Sequence, residues 1–316
     1  MKVRVNQVAD GLIAEIAWLY HIKGLTQGEI AKKKELSRPT VISYLKLAKS
    51  RGIVSIKLDP LHGRVNELAD QIRERFNLKT AYVVADHQQS DLEMLEAVCE
   101  FAAHALPDFL DPNDQLGVSW GETLSIMANM VPFAPIPGLV VRQLIGSMAN
   151  PLVMTAESCT TEIARRLDGK CVNLNAPAVC SNVKLAEALR KEHIISQQLE
   201  RLRDCNKAVY SVSPCTLDTH VVRFKVSTRE ELKAYERRGA VCNLAGRFLD
   251  AGGNAVKGEL DDRLLSVQLS DLRRMKGMLV VSGTHKATPA VSVLSGGYAD
   301  CIVLDEKLAK AMLKIA

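Results

Sequence analysis

Three short stretches hold the residues whose types and spacing could act on a small ligand. The first is Gly117–Leu124, GVSWGETL, where a strand runs into Gly121 and a helix begins at about Glu122 or Thr123. Free backbone N–H groups at a helix start, with the Ser119 and Thr123 hydroxyls, make a cradle for an anion running from Ser119 to Leu124, and Gly121 lets the backbone approach it. Glu122 is an awkward neighbour for an anion; it either points away or suits the hydroxyls of an uncharged polyol. The second stretch is Val281–Ala287, VSGTHKA, again strand, glycine turn and helix start. It puts Lys286 at the mouth of a sheet, where an ammonium can neutralise a phosphate, hydrogen-bond a sugar oxygen or form a Schiff base with an open-chain aldose; the plainer reading is a solvated lysine. The third is Gly239–Gly253, GAVCNLAGRFLDAGG, strand-like with a turn at Ala251-Gly252-Gly253 and followed by Asp261-Asp262-Arg263. Asn243 and Arg263 are its candidate ligand contacts, against turn glycines and a structural salt bridge. Gly146 after LIG and Pro177 in NAPA are further strand-end turns.

These stretches need a scaffold that brings strand ends together. From Leu78 the sequence alternates between strand and helix patterns, with strands expected at 79–84, 115–120, 139–145, 172–174, 207–212, 276–282 and 299–304. Helices are expected at 92–105, 123–131, 158–167, 183–192, 195–203, 287–294 and 306–315. Such alternation predicts an α/β domain, a mostly parallel sheet with helices on both faces, and ligands then bind at the carboxyl ends of the strands. Ahead of it, Arg64–Phe76 reads as a helix with Val65, Leu68, Ala69, Ile72 and Phe76 on one stripe, fit either for self-association or for packing on its own domain. Asp59-Pro60-Leu61 reads as a break, which divides the chain into domains 1–60 and 61–316.

The N-terminal domain reads as a winged helix-turn-helix. Asp10–His21 is a first helix after a mobile lead-in, with Trp18, Leu19 and Ile22 as its apolar stripe. Thr26 and Glu29 have capping-box spacing at the start of a second helix, which carries Gln27. Lys32–Leu36 is expected to form the turn. Ser37 caps a third helix with Pro39 in its first turn, and Val41, Ile42, Leu45, Leu47 and Ala48 are expected inside. Arg38, Thr40, Ser43, Tyr44 and Lys46 then face outward, toward base edges and phosphates of double-stranded DNA. Gly52–Leu58 reads as a wing. Charge agrees: residues 1–60 carry 11 Lys and Arg against 5 Asp and Glu, whereas the remainder nearly balances at 30 against 31. The formal excess of +5 therefore sits where a phosphate backbone would lie.

The 316 residues amount to two domains, and 47% hydrophobic content can fill a sizeable core. With neither an apolar run of membrane length nor a signal-peptide pattern, the expected compartment is the cytosol and no membrane partner is expected. The eight cysteines form no Cys-x-x-Cys pair and no metal-ligand spacing, so they read as reduced core thiols, and no cofactor or metal is expected. Aromatic residues are only 4%, which leaves little for a base-stacking RNA surface.

Taken in order, LTQGEIAKKKELSRPTVISYLKLAKSRGIV, GVSWGETL, RQLIG, NAPA, GAVCNLAGRFLDAGG and the C-terminal VVSGTHKATPAVSVLSGGYADCIVLDEKLAKAML give nearly the whole chain a resemblance to the SorC (SorC/DeoR-type) family of bacterial transcriptional regulators. The resemblance implies a winged helix-turn-helix followed by a sugar-binding domain similar to the sugar-phosphate isomerase and CoA-transferase fold, with catalysis replaced by sensing. It implies that Gly121–Leu124 holds an effector's phosphate, that Lys286 touches the effector, and that the chain forms a dimer or tetramer on a palindromic operator. Two positions depart from the family pattern: Glu122 replaces a small hydroxyl residue, and Cys242-Asn243 replaces a pair ending in an acid. The effector is therefore a sugar, a free polyol or a phosphate of either. The alternative is a sugar-phosphate isomerase-like enzyme with an accessory helical domain, for which Glu122 and Asp261 are the available bases.

Overall fold

The computed structural model describes residues 2–55, 67–88, 90–148, 155–216, 222 and 225–315, with side chains from Asp10 onward. The chain divides into two compact units, Met1–Lys57 and Leu58–Ala316.

The N-terminal unit is built from α1 (Lys2–His21), α2 (Gln27–Lys34) and α3 (Arg38–Ser50). The expected lead-in is thus helical from Lys2. Thr26 caps α2 in a reciprocal box with Glu29, whose carboxylate accepts the Thr26 N–H at 2.8 Å. Lys32–Lys34, expected in the turn, instead form the last turn of α2, where cations suit the partial negative charge of a helix C-terminus. The turn itself is Glu35–Ser37, with Glu35 left-handed at φ 53°. Ser37 then caps α3 through the Thr40 N–H at 3.2 Å. Val41, Tyr44, Leu45 and Ala48 recur at i, i+3, i+4 and i+7, and this row packs into two small clusters with Ile13, Ile16, Ala17, Leu19 and Ile30. Tyr44, expected toward DNA, is therefore half-buried in the core, while Ile42, expected inside, falls off the row. Trp18, on the outer face of α1, and Ile22, just past its end, are likewise outside, at 48% and 70% exposure. Ile53 and Val54 pack against the second cluster without forming a strand. Residues 56–58 of the expected wing lie outside the described residues.

The C-terminal unit continues with α4 (Glu67–Arg75), β1 (Thr80–Val84), α5 (Asp91–Phe109), β2 (Gln115–Val118), α6 (Glu122–Met130), β3 (Val140–Gln143), α7 (Ala156–Arg166), β4 (Lys170–Val172), α8 (Val183–Lys191), α9 (His193–Glu200) and β5 (Lys207–Tyr210). It ends with β6 (Ser213–Pro214), α10 (Arg229–Arg237), β7 (Ala240–Leu244), β8 (Arg247–Asp250), β9 (Ala255–Val256), α11 (Glu259–Arg263), α12 (Leu269–Leu272), β10 (Lys276–Val281), α13 (Ala287–Ser295), β11 (Cys301–Asp305) and α14 (Glu306–Ile315). Seven strands form a parallel sheet in the order β1-β11-β10-β5-β2-β3-β4. Alternate residues feed two cores: Leu279, Val281, Ile302 and Leu304 enter one, and Met278, Val280, Cys301 and Val303 the other. Burial on both faces explains why these strands read as unbroken apolar runs. Leu68, Ala69 and Ile72 of α4 and Phe76 just after it join the first core, so the described part of that stripe is used within the unit; Val65 lies outside the described residues.

The path sets the ligand position. From β2 the chain steps outward to β3 and β4; from β5 it steps the opposite way to β10 and β11. Neighbouring β2 and β5 therefore lead to opposite sides, and the crevice beyond their carboxyl ends is open. A second sheet, β6-β7-β8-β9, is antiparallel. Its β7–β8 hairpin turns at Ala245-Gly246, both at positive φ (50° and 90°), a turn that the strand-like reading of this stretch placed further on. The hairpin is held against the end of β3 by Leu244, which joins Leu144 in the first core.

Candidate ligand-binding site

Two glycine turns flank the end of β5. After β2 the chain passes through Gly121, at φ 111° and ψ 175°, a region open almost solely to glycine, and starts α6 with no side-chain cap. The first N–H groups of α6 thus have no side chain over them. After β10 the chain passes through Gly283 at φ 95° into a short 3₁₀ turn, Thr284–Lys286, and then α13. Asp305, 2% exposed at the end of β11, fixes this second turn. One of its carboxylate oxygens accepts the Ser282 hydroxyl at 2.9 Å and the Gly283 N–H at 2.7 Å. The other accepts the Leu308 N–H at 2.7 Å and so caps α14.

Between the turns lies a cavity of about 470 Å³ lined by Asp86, Asp91, Glu122, Asp305, Lys286 and Lys307 among others. A recess of about 20 Å³ opens beside it. Glu122, Ser213 and Lys286 line both. The recess is further lined by Ser119, Trp120, Gly121, Thr123, Ser211 and Asn243. Lys286 is half-buried, and its Nζ lies 3.5 Å from the Thr123 hydroxyl. Burial holds this ammonium below the usual lysine range, while the Glu122 and Asp305 carboxylates work the other way. The Cys99 thiol, pushed up to about 12 by burial, donates to the Thr123 carbonyl at 3.3 Å and stays neutral. His285 is also held low by burial, with Lys286 adding to the effect. Three buried side-chain polar atoms have no hydrogen-bond partner among the described residues, and two of them belong to residues lining the recess: the Ser211 hydroxyl and the Asn243 amide nitrogen, the third being the Arg142 Nε elsewhere. The other end of the Asn243 amide accepts the Gly246 N–H at 3.1 Å, which fixes its orientation.

Of the expected contacts, Ser119, Gly121, Glu122, Thr123, Asn243 and Lys286 are brought together here. Leu124 is fully buried in the second core and could offer only its N–H. Gly146 lines neither cavity; a Cβ there would meet the Ala176 carbonyl at 2.5 Å, so packing demands the glycine. Arg263 also lies away, paired with Glu231 and donating to the Cys180 carbonyl at 3.1 Å. Asp261, a candidate base for the enzyme alternative, is spent on Arg247 at 3.1 Å, the Tyr235 hydroxyl at 2.7 Å and the Gly258 N–H at 2.9 Å. Sequence reasoning missed Ser211 and Asp305, although both stand at strand ends that it drew within a residue or so.

Residues 62–314 match the family described as "Putative sugar-binding domain". YjhU of Escherichia coli K12, an uncharacterized transcriptional regulator, is 31% identical over 311 residues, spanning 96% of this chain and 94% of its own. The chain belongs to the SorC family of sugar-binding transcriptional regulators. The deoxyribonucleoside regulator of Bacillus subtilis 168 is 29% identical over 96% of this chain and 97% of its own. The full-length sorbitol operon regulator SorC from Klebsiella pneumoniae shares the fold at a TM-score of 0.77, with 24% identity over 96% of this chain and 98% of that one. Family membership makes the protein a transcriptional regulator with a sugar-binding domain, which favours a sensing over a catalytic role for the cleft. Among the described residues no helix is long and apolar enough to cross a membrane.

Proposed function

We propose that the protein binds operator DNA through its N-terminal unit and that a small sugar, polyol or phosphate of either, held in the cleft at Gly121, Asn243 and Lys286, alters that binding. In this reading α1–α3 and the segment after them are a winged helix-turn-helix, with α3 as the recognition helix. Arg38, Ser43 and Lys46 are exposed and available to DNA, Gln27 and Thr40 are partly so, and Thr26, Ser37 and Pro39 shape the helix starts. The parallel sheet plays the part it has in sugar-phosphate isomerase and CoA-transferase folds, placing ligands at its carboxyl edge. A dimer or tetramer would bring two recognition helices to half-sites one helical turn apart.

The observation that carries the effector site is the convergence of two glycine turns, Lys286 and two unpartnered polar atoms on one crevice. Buried polar groups without partners are rare in a native fold, and a hydroxyl-rich ligand would satisfy both. The test is thermal melting of the full chain against sugars, polyols and their phosphates, with operator retention followed in parallel. A ligand that binds the folded state raises the midpoint. The expected result is a compound that raises it and shifts DNA binding, both effects being lost in Lys286→Ala. A sugar phosphate converted to product by the purified protein, with activity lost in Glu122→Gln, would overturn the sensing reading.

A further inference from the structure

We infer that this cleft selects an uncharged polyol or sugar over its phosphate ester, and that Glu122 is the residue that enforces the choice. The inference rests on the effector site proposed above. Its first support is charge. The main cavity is lined by four carboxylates, Asp86, Asp91, Glu122 and Asp305, against the two ammonium groups of Lys286 and Lys307. His285 adds no charge near neutrality, because burial holds it low. Lys307 is already paired with Asp86 at 2.8 Å. Lys286, the one cation reaching the recess, feels the attraction of both Glu122 and Asp305. A phosphate dianion would thus enter a region with a formal excess of two negative charges, and like charges brought together at an interface cost affinity steeply.

The second support is where Glu122 stands. It is the first residue of α6, whose start carries no side-chain cap. That end of a helix attracts one negative charge, and Glu122 already supplies it. The anion is built into the chain.

Size supplies the third. The recess holds about 20 Å³, and one water needs roughly 10–15 Å³ on the same kind of measure. It has room for about one hydroxyl-sized group, so the bulk of any ligand lies in the larger cavity beside it. Its polar lining matches a hydroxyl. Asn243, 4% exposed, offers an unpartnered N–H, Ser211 offers a hydroxyl free to donate or accept, and Glu122 offers a carboxylate that accepts from an alcohol. A polyol hydroxyl placed there donates to Glu122 and accepts from Asn243, a pairing that a phosphate oxygen, which only accepts, cannot reproduce.

The experiment compares the full chain with Glu122→Gln and Glu122→Ser in calorimetric and melting titrations. The probes are erythritol, ribitol, xylitol and D-sorbitol, each beside its terminal phosphate ester, and inorganic phosphate. The expected result is that the parent binds a free polyol at least roughly tenfold better than the ester, the scale of one unfavourable charge contact. Both variants then lose polyol affinity and gain a melting shift with inorganic phosphate and with the ester. A parent that prefers the ester, or variants that leave the ratio unchanged, would overturn this inference. If that ester binding is lost in Lys286→Ala, the effector site itself survives. A parent that responds to no probe removes both.

Discussion

Asp305 offers the sharpest stability test, because one buried carboxylate joins three elements. It accepts the Ser282 hydroxyl and Gly283 N–H on one oxygen and the Leu308 N–H on the other. Asp305→Ala leaves three donors without that acceptor, two of them backbone groups at the ends of β10 and the start of α14. Bonds to charged groups contribute about 1.5–3 kcal/mol each, part of which the desolvation of the carboxylate cancels, so a loss of roughly 3–5 kcal/mol is expected. Asp305→Asn keeps one acceptor and turns an NH₂ toward a donor, which gives about 2–3 kcal/mol. The chain has two tryptophans, and Trp120 lines the recess while Trp18 lies in the other unit. In a Trp18→Phe background, fluorescence during urea unfolding therefore reports the C-terminal unit alone. The expected order of midpoints is parent, Asn, Ala, and both variants should also bind effector more weakly, since the Gly283 turn carries Lys286. A loss below about 0.5 kcal/mol for Asp305→Ala would show that the turn is held by something other than this carboxylate.

Other outcomes follow from the same geometry. Gly121→Ala meets no neighbouring atom, so backbone strain alone should destabilise the C-terminal unit, by about 1–3 kcal/mol in urea, and effector affinity should fall with it. Lys286→Met removes an ammonium that burial disfavours, so the ligand-free protein should melt higher while the effector response disappears; a lower midpoint would refute the desolvation argument. His285 has a folded pKa below its unfolded value of 6.5, so the unfolded chain takes up the proton first. Stability should fall as pH drops through 6.5 toward the folded value, and His285→Gln should flatten that part of the melting profile. Arg38→Ala and Lys46→Ala should each weaken operator retention in a salt-dependent way with unchanged melting; retention equal to the parent would remove α3 from the recognition role.

Local chemistry was legible where a few residues decide it. The Thr26–Glu29 box, the Ser37 cap with Pro39, and the turns at Gly121 and Gly283 follow from spacing and from glycine, and the parallel strands follow from unbroken apolar runs. The errors arose where a choice depends on phase or on distant partners. Tyr44 joined the core and Ile42 did not, because a three-helix core selects one row of α3 and Tyr44 falls on it. Lys32–Lys34 looked like turn residues by charge, but the turn was decided by Glu35 taking a left-handed conformation. In sequence Arg263 suits either a ligand or a structural salt bridge, and the fold decides for the second by setting Glu231 beside it. The Ala245-Gly246 reversal escaped notice because alanine at positive φ leaves no familiar turn signature. It is that reversal which sets Asn243 against the crevice.

That hairpin has a consequence for how such a regulator changes over time. Lys286 and the Gly121 turn belong to the parallel sheet, where Asp305, Gly283 and two packed cores leave little room for substitution. Asn243 comes from a different sheet, in β7 just before a two-residue turn whose Ala245 also meets the crevice. The cleft is thus assembled from two sheets that share one core, which Cys242, Leu244 and Leu249 enter beside the parallel strands. Under the proposed function, a substitution at Asn243, whose amide nitrogen makes no bond within the fold, changes which hydroxyl pattern is read while that core stays packed, so a change of effector can precede any change of scaffold.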